Sequence, residues 1–245
     1  MNATATRRRR RERLPRDERV AAIMRAARAV FCDKGYEAAS TAEIAAQAGV
    51  VEGTLYRYFP SKRDLLIKVV EDFYERIFAD YERQLQGVRG TWNRLRYLIW
   101  KHLSVIHADP QMCRLIVHEL RPWPQYRQSS IFKLNRRYTE CTLAVIKEGV
   151  ERGELRADLS PKIVRDMIFG GAEHHTWAYL RGEGQFSPEE AADAITNLIY
   201  QGLAQPHKRK AAAVDGSVRR LEQAVERLEG LAVRGRRRRP SASPP

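Results

Sequence analysis

The chain has 245 residues, of which 43% are apolar, enough for a hydrophobic core and typical of one to two domains. No stretch approaches 18 uninterrupted apolar residues, and the arginine-rich start has no apolar segment, which argues against a membrane span or a secretory signal. The three cysteines, Cys32, Cys113 and Cys141, are odd in number and far apart, so we expect free thiols in a reducing cytoplasm.

The net charge of +14 is concentrated at the two ends of the chain. Residues 1–16 carry seven Arg and one Glu, and residues 207–245 carry eleven Lys or Arg and four Asp or Glu, which leaves only +1 for residues 17–206. Two basic tails suit non-specific attraction to the phosphates of DNA, and they equally suit a solubilising role.

The first predicted element is a disordered basic arm, residues 1–16, followed by an amphipathic helix. Its apolar stripe recurs at helical spacing and ends before Gly35. The stripe consists of Val20, Ile23, Met24, Ala27, Val30 and Phe31. This helix is predicted to support the next stretch of the chain, whose apolar side chains can pack onto its stripe.

The next stretch, residues 40–59, has the pattern of two short helices separated by one glycine. Ser40 and Glu43 form the S-x-x-E capping box of a helix start, and Gly49 ends that helix. In the second helix, Leu55 and Phe59 are four residues apart and face inward, which leaves a polar outer face. The pattern predicts a helix-turn-helix, and residues 17–66 are predicted to form a DNA-binding head.

The remaining chain is predicted to be helical up to residue 206. Ser61 begins a helix that runs from the head to about Tyr81, and helices are expected over 91–107, 111–120 and 128–151. Ser160-Pro161 and Ser187-Pro188 place a cap before a proline and predict two more helices. No alternating β pattern is present, so the fold class is all-α, with residues 67–206 as a larger helical domain.

Residues 207–245 are predicted to be a basic linker, a short amphipathic helix and a disordered tail. The apolar positions from Val214 to Leu228 keep a 4-3-4-3 spacing. A short coiled coil and a fraying helix both fit this spacing.

The motif residues between 19 and 66 resemble the tetracycline-repressor (TetR) family of transcriptional regulators. The matching positions are Phe31, Gly35, Tyr36, Ser40, Glu43, Ile44, Ala45, Ala48, Gly49, Val50, Gly53, Thr54, Leu55, Tyr56, Tyr58, Phe59, Ser61 and Lys62. The resemblance implies a homodimer that binds a double-stranded DNA operator as a ligand-responsive repressor. It also implies that residues 67–206 are the effector-binding and dimerisation domain. One departure is Val51, where the family commonly has a Ser or Thr that caps the recognition helix.

The resemblance also implies which side chains contact DNA. Ser40 and Thr41 would contact phosphates, and Glu52, Gly53 and Arg57 would lie near base edges. The positions expected to hold the DNA backbone are Thr54, Tyr56, Tyr58 and Lys62.

Segments 101–104, 118–121 and 165–170 are similar to TetR-like repressors of fatty-acid degradation that sense acyl-CoA. This similarity implies a hydrophobic small-molecule effector, with an acyl-CoA as the specific expectation. Candidate ligand-binding residues are Trp100, Arg121, Trp123, Phe132, Arg137, Phe169 and Trp177. The alternative for each aromatic residue is core packing.

A two-fold dimer needs self-complementary helices, and the two helices that begin at Ser160 and Ser187 are the candidates. The predicted interface residues are Met167, Gly171, Ile195, Leu198 and Ile199. The adjacent pair Gly170-Gly171 suits either such an interface or a pocket wall.

No cofactor, metal site or enzymatic activity is expected from the motifs. His174 and His175 are adjacent and therefore point about 100° apart on a helix, which prevents both from binding one ion. No nucleophile elbow or phosphate-binding glycine loop is present in the sequence. The alternative function is an architectural DNA-binding protein that acts through its basic tails.

Overall fold

The structure, a computed structural model, describes residues 15–205. The predicted tail 207–245 and residues 1–14 of the predicted arm lie outside the described residues. Within residues 15–205 the secondary structure is helical, with no β-strand. None of these helices combines the length and the apolar character needed to cross a membrane. The helices are α1 (Arg16–Ala38), α2 (Thr41–Gln47), α3 (Glu52–Tyr58), α4 (Lys62–Gln86), α5 (Thr91–Ala108), α6 (Pro110–Leu115), α7 (Ser130–Glu151), α8 (Pro161–Leu180) and α9 (Pro188–Leu203).

Serine and aspartate side chains cap most of these helices, among them the predicted caps at Ser40, Ser61 and Ser187. The Ser61 hydroxyl accepts a hydrogen bond from the Asp64 backbone N–H at 3.0 Å, and Ser129 accepts one from Phe132 at 3.3 Å. Such caps satisfy N–H groups that a helix start leaves bare. Ser160 is different, because it lies at the N-cap of α8 without a side-chain hydrogen bond. The predicted N-cap position of Ser160 and the helix start at Pro161 are confirmed, but the side chain of Ser160 makes no capping bond.

Helices α1, α2 and α3 form the head around a shared apolar core. Ile23 and Phe31 of α1, Ile44 of α2 and Leu55 of α3 are fully buried in it. Gly35 interrupts α1 with a φ of 77°, a left-handed conformation that only glycine adopts without strain. The regular part of α1 therefore ends at Gly35, as predicted, and a short helical turn up to Ala38 follows it.

Helix α4 continues from the head into the larger helical region without a break. It crosses the predicted domain boundary at residues 66 and 67, and Leu65, Leu66 and Val70 are buried near that boundary. The described residues up to Leu203 form one compact unit. Because a continuous helix is stiff, motion of its C-terminal half is transmitted to the head.

The C-terminal helices pack around α5, most extensively through α9. Polar contacts follow the same seam: Arg96 pairs with Asp193, and the Trp100 indole N–H donates to Glu189 at 3.0 Å. The predicted helix 111–120 is α6 followed by a π-helical turn over Ile116–Leu120. A π-helical turn widens the backbone and is frequent at functional sites.

Candidate DNA-binding surface and effector cavity

Helix α3 buries one face in the head and exposes the other. Leu55 and Phe59 are buried, whereas Glu52, Tyr56 and Arg57 are exposed. Gly53 also lies on the exposed side, and Thr54 and Tyr58 are half-buried at its edges. This arrangement presents hydroxyl, phenol, carboxylate and guanidinium groups on one short helix, the chemistry that reads base edges and phosphates in a major groove.

Val51 occupies the N-cap of α3 without a side-chain hydrogen bond, and 73% of its surface is exposed. Valine has no side-chain acceptor, so the first backbone N–H groups of α3 lack the cap that Ser or Thr supplies. A missing cap typically costs about 1 kcal/mol. The departure at Val51 therefore weakens the start of α3 in the DNA-free head.

A hydrogen-bonded network joins α2 to α3 at the base of this surface. The buried Thr41 hydroxyl donates to the Glu52 carboxylate at 2.5 Å and lies 3.0 Å from the Tyr56 hydroxyl. Since the Thr41 proton is used by Glu52, the Tyr56 hydroxyl is the donor of the second bond. Three residues predicted to contact DNA thus contact one another, and they fix the angle between the two helices.

Ser40 forms only half of the predicted capping box. Its hydroxyl accepts from the Glu43 backbone N–H at 3.1 Å, but the Glu43 carboxylate pairs with Lys34 at 2.6 Å. The reciprocal bond from Glu43 to the Ser40 backbone is replaced by an ion pair that links α2 to the end of α1. Ser40 is exposed, so its side chain is accessible to a DNA phosphate, and that contact stays a prediction.

Lys62, which is predicted to hold the DNA backbone, also makes contacts inside the head. Its ammonium donates to the backbone carbonyls of Tyr36 at 2.7 Å, Glu37 at 3.2 Å and Ala39 at 3.0 Å. An ammonium has three donors, and all three are used here. Lys62 therefore fastens the end of α1 to the start of α4, and its contact with DNA stays a prediction.

Two substitutions separate base reading from support of the head. We expect Arg57→Ala to weaken specific operator binding by roughly 1–3 kcal/mol and to relax selectivity at one position per half-site.

Lys62→Met should lower the free energy of unfolding by about 2 kcal/mol, because three carbonyls lose a charged donor. Thermal unfolding and operator titrations measure both effects. The control Lys68→Met removes an exposed lysine of the same helix that pairs with Glu71, and should change neither.

A cavity of about 600 Å³ lies among the C-terminal helices. Five segments form its walls, namely α4, α5, α6 with its π-helical turn, α7 and α8. The residues that face it are Phe73, Tyr74, Ile77, His102, Val105, Ile106, Cys113, Ile116, Val117, Arg121, Phe132, Asn135, Arg136, Tyr138, Thr139, Lys162, Arg165, Asp166, Phe169, Gly170, Glu173, Thr176 and Leu180. Its volume is within the range of small-molecule sites in proteins, about 300–1,000 Å³.

The cavity is polar toward one end of α8 and apolar toward the other. Lys162 and Arg165 face it from the first turns of α8, and Leu180 faces it from the last. At a rise of 1.5 Å per residue, these ends are about 27 Å apart. Between these two ends of the cavity, Arg121 Nη1 and Glu173 Oε2 form an ion pair at 2.6 Å. The cavity therefore suits an elongated molecule with an anionic head and an apolar tail.

Burial shifts the titration of groups that face the cavity. It lowers the pKa of His102 to about 4, with the nearby charge of Arg121 as the second cause. It raises the pKa of the Cys113 thiol to about 12 and that of Tyr138 well above its usual value. All three groups are therefore uncharged at neutral pH.

The structure brings Arg121, Phe132 and Phe169 of the predicted ligand-binding residues to the cavity. The other four lie elsewhere. Trp100 packs in the α5–α9 seam, Trp177 is 48% exposed on α8, Trp123 lies over Arg63, and Arg137 lies over the Phe78 ring at 4.2 Å. Sequence reasoning missed His102, Tyr138, Lys162 and Arg165 as cavity residues. Their only signal was helical spacing, which shows that residues share a face but not what that face meets.

One segment connects the cavity wall to the head. Arg63, in the first turn of α4, lies over the rings of Tyr36 at 3.9 Å and Trp123 at 5.5 Å, and it donates to the Glu119 carbonyl at 3.3 Å. Glu119 belongs to the π-helical turn, two residues before Arg121 of the cavity wall. A second link pairs Arg28 of α1 with Asp109, the N-cap of α6.

Helices α8 and α9 expose apolar side chains that the described chain leaves uncovered. Exposed fractions are 64% for Ile163, 62% for Met167 and 74% for Leu198. Among the predicted interface residues, Gly171 is exposed, and Ile195 and Ile199 are half-buried beside Leu198. A Cβ added at Gly171 would meet open space within the described residues, so a close approach there would have to come from another molecule.

Among the described residues, no group of three or more His, Cys, Asp or Glu side chains is arranged to hold a metal ion. The cysteines of the described chain are free thiols.

Two family models match the chain. "Bacterial regulatory proteins, tetR family" matches residues 23–69, and "Tetracyclin repressor-like, C-terminal domain" matches residues 89–203. The first covers the helix-turn-helix head, and the second covers the helices around the cavity.

The chain is also similar to characterised regulators over most of its length. It is 25% identical over 181 residues to the fatty acid metabolism regulator protein of Bacillus subtilis, covering 74% of this chain and 93% of that one. It is 25% identical over 196 residues to the transcriptional repressor KstR2 of Mycolicibacterium smegmatis, covering 78% and 93%. The crystal structure of the regulator FadR from Bacillus subtilis in complex with stearoyl-CoA superposes with a TM-score of 0.68 at 26% identity, covering 74% and 98%. With its exposed α3, its ligand-sized cavity and both family models matched, the chain belongs to the TetR family of DNA-binding transcriptional regulators.

Proposed function

We propose that this protein is a homodimeric repressor that binds a palindromic operator and releases it when an acyl-CoA thioester enters the cavity. Residues 17–66 are the proposed DNA-binding domain, and residues 67–206 the proposed effector and dimerisation domain. Because its proposed partners are DNA and a metabolic thioester, we infer that it acts in the cytoplasm.

The two-ended cavity is the observation that carries this proposal. Phe73, Ile77 and Ile106 supply apolar surface for a hydrocarbon chain. Toward one end, Lys162 and Arg165 outweigh the charge of Asp166, which pairs with Arg165 at 2.7 Å, and leave that end net positive. An acyl-CoA has the matching form, a flexible alkyl chain joined to a head group with several phosphates. The similarity to a regulator solved with stearoyl-CoA supports the same class of effector.

The uncovered faces of α8 and α9 support the proposed homodimer. Ile163, Met167 and Leu198 present apolar surface that a monomer would leave in water. Contiguous exposed apolar surface on a soluble protein typically marks an interaction site. A second copy joined through these helices would place two heads on half-sites about 34–36 Å apart, one turn of DNA.

Induction requires that the effector favour one arrangement of the heads. Only a difference in affinity between the DNA-bound and released states drives release. A shift of the population from 1:99 to 99:1 needs a preference of about 10⁴-fold. Because α4 lines the cavity with Phe73 and Ile77 and also begins in the head, a ligand that moves α4 changes the spacing of the two heads.

Release of a fluorescent operator by acyl-CoAs of increasing chain length tests the proposed effector. Each methylene buried in the cavity is worth about 0.8 kcal/mol. The half-maximal concentration should therefore fall about fifteenfold for every two carbons added, until the cavity is full. CoA without an acyl chain, which keeps the phosphates, should be inactive at the same concentrations.

Two further ligands distinguish other effector classes. Free fatty acids contain the chain without the phosphates and should release the operator at much higher concentration. If a flat aromatic compound releases the operator and acyl-CoA is inert, the acyl-CoA assignment is wrong, and the regulator acts on another effector. Release that is independent of chain length would show that the hydrocarbon chain does not enter the cavity.

A further inference from the structure

His102 is a polar side chain that lines the cavity among the aromatic rings of Tyr74, Tyr138 and Phe169. His102 projects from α5, and its Nδ1 lies 3.2 Å from the Tyr138 hydroxyl. Its ring meets the Phe169 ring edge-on, with centroids 5.0 Å apart. Tyr138 is itself enclosed by aromatic rings, from Tyr74, Phe78, Tyr81 and Phe169. His102 is therefore held in one orientation by a hydrogen bond on one side and a ring contact on the other.

The hydrogen bond to Tyr138 determines what His102 offers the cavity. A neutral imidazole has one N–H and one acceptor nitrogen. A phenol is the better donor of the pair, so the Tyr138 hydroxyl donates to Nδ1 and the ring hydrogen lies on Nε2. His102 then presents an N–H group rather than a lone pair at its far edge.

The Nε2 atom has no hydrogen-bond partner among the described residues. His102 is also only half-buried by its surface, although it lies inside the domain, because its open side faces the cavity. An N–H group in an apolar surrounding is unfavourable until an acceptor reaches it. The cavity thus contains a fixed donor that lacks an acceptor.

The position of this donor corresponds to the middle of an elongated ligand. Phe169, which contacts His102, is one helical turn after Arg165 on α8 and one turn before Glu173. Lys162 and Arg165 lie toward the polar end, and Leu180 lies toward the apolar end. A ligand that spans both ends would place its head-to-chain junction near His102.

We propose that His102 Nε2–H donates a hydrogen bond to a carbonyl oxygen of the effector, at the junction between acyl chain and head group. His102 is then a specificity-determining residue that distinguishes an acyl thioester from a ligand of equal length without the carbonyl. Tyr138 acts through His102 as a positioning residue. This inference rests on the proposed acyl-CoA effector. It is supported by the uncharged state of His102, whose pKa is lowered to about 4 by burial and by Arg121.

The test compares palmitoyl-CoA with S-hexadecyl-CoA, its thioether analogue, in direct binding and in operator release. The two ligands share chain length and head group but differ by one carbonyl oxygen. The full-length wild-type dimer should bind the thioester about tenfold more tightly, equivalent to about 1.4 kcal/mol. The His102→Leu variant should bind both ligands equally, because leucine fills the same space with an apolar side chain and lacks the N–H donor.

Two amide variants keep the test valid if His102→Leu does not fold. The amide nitrogen of Gln reaches the position of Nε2, whereas that of Asn reaches only the position of Nδ1. His102→Gln should therefore retain most of the thioester preference, and His102→Asn should lose it. His107→Leu is the matched control, because it makes the same substitution on the same helix. His107 is exposed, packs on the rings of Tyr179 and Phe186 and does not face the cavity, so its loss should leave the preference unchanged.

The outcomes separate this inference from the proposed function. If wild type binds thioester and thioether equally and both release the operator, His102 does not recognise the carbonyl, while the acyl-CoA effector stands. If neither ligand binds, the proposed effector class itself is wrong. A preference that survives in His102→Leu would overturn the assignment to this residue.

Discussion

Replacing Leu198 with glutamate is expected to dissociate the proposed dimer into monomers and to remove operator binding at micromolar concentration. Leu198 is 74% exposed on the uncovered face of α9. In a two-fold dimer each substitution occurs twice. If each Leu contributes about 2 kcal/mol on burial, the loss of about 4 kcal/mol weakens the dimer about 1,000-fold. A carboxylate buried without a partner in such an interface adds to the loss.

Sedimentation velocity measures the dimer, and fluorescence anisotropy with full and half operators measures DNA binding. Gln111→Glu is the matched control, because it adds the same charge to an exposed position on α6. It should remain dimeric and bind the full palindrome. If Leu198→Glu remains a dimer with unchanged operator affinity, the face formed by α8 and α9 is not the dimer interface.

The head could be predicted residue by residue because its determinants are local. Ser40, Gly49, Leu55 and Phe59 lie within twenty positions of one another, and each acts on backbone or core atoms a few residues away. The Ser40 cap and the left-handed Gly49, at a φ of 71°, are both present in the structure. Local determinants of this kind are readable from spacing alone.

Lys62 marks the limit of that local reading. Its three carbonyl partners lie 23 to 26 residues earlier in the chain, at the end of α1. The sequence shows a lysine after a helix cap, and both a phosphate contact and an internal contact are consistent with it. Only the fold decides which acceptors its ammonium can reach.

The cavity was least predictable, because five helical segments contribute to it. Trp100, Trp177 and Phe169 look alike in the sequence as aromatic residues on amphipathic helices. Helix packing sends Phe169 to the cavity, Trp100 to the α5–α9 seam and Trp177 toward solvent. Which helix faces which neighbour depends on crossing angles that spacing does not specify.

The contacts of Arg63 provide a physical route from the cavity to the DNA-binding head. The π-helical turn supplies Ile116 and Val117 to the cavity wall, and the carbonyl of its Glu119 accepts a hydrogen bond from Arg63. Trp123 covers the other side of the same guanidinium. A ligand that displaces the π-helical turn therefore changes the support of Arg63, at the start of α4.

Trp123→Ala is accordingly expected to separate effector binding from operator release. Trp123 does not face the cavity, so the effector dissociation constant without DNA should change less than about threefold. The factor by which the effector weakens operator binding should fall below about threefold, compared with the range of about 5–150-fold that is typical of allosteric coupling. Arg63→Lys tests the geometry, because it keeps the positive charge but loses the planar group that lies over both rings, and it should uncouple the sites as well. Trp92→Ala, which removes an indole hydrogen-bonded to Asn197 in the α5–α9 seam, is the control and should respond like wild type. Coupling is reciprocal, so operator DNA must weaken effector binding by the same factor in every variant. A Trp123→Ala protein that releases the operator normally would show that the signal reaches the heads through α4 alone.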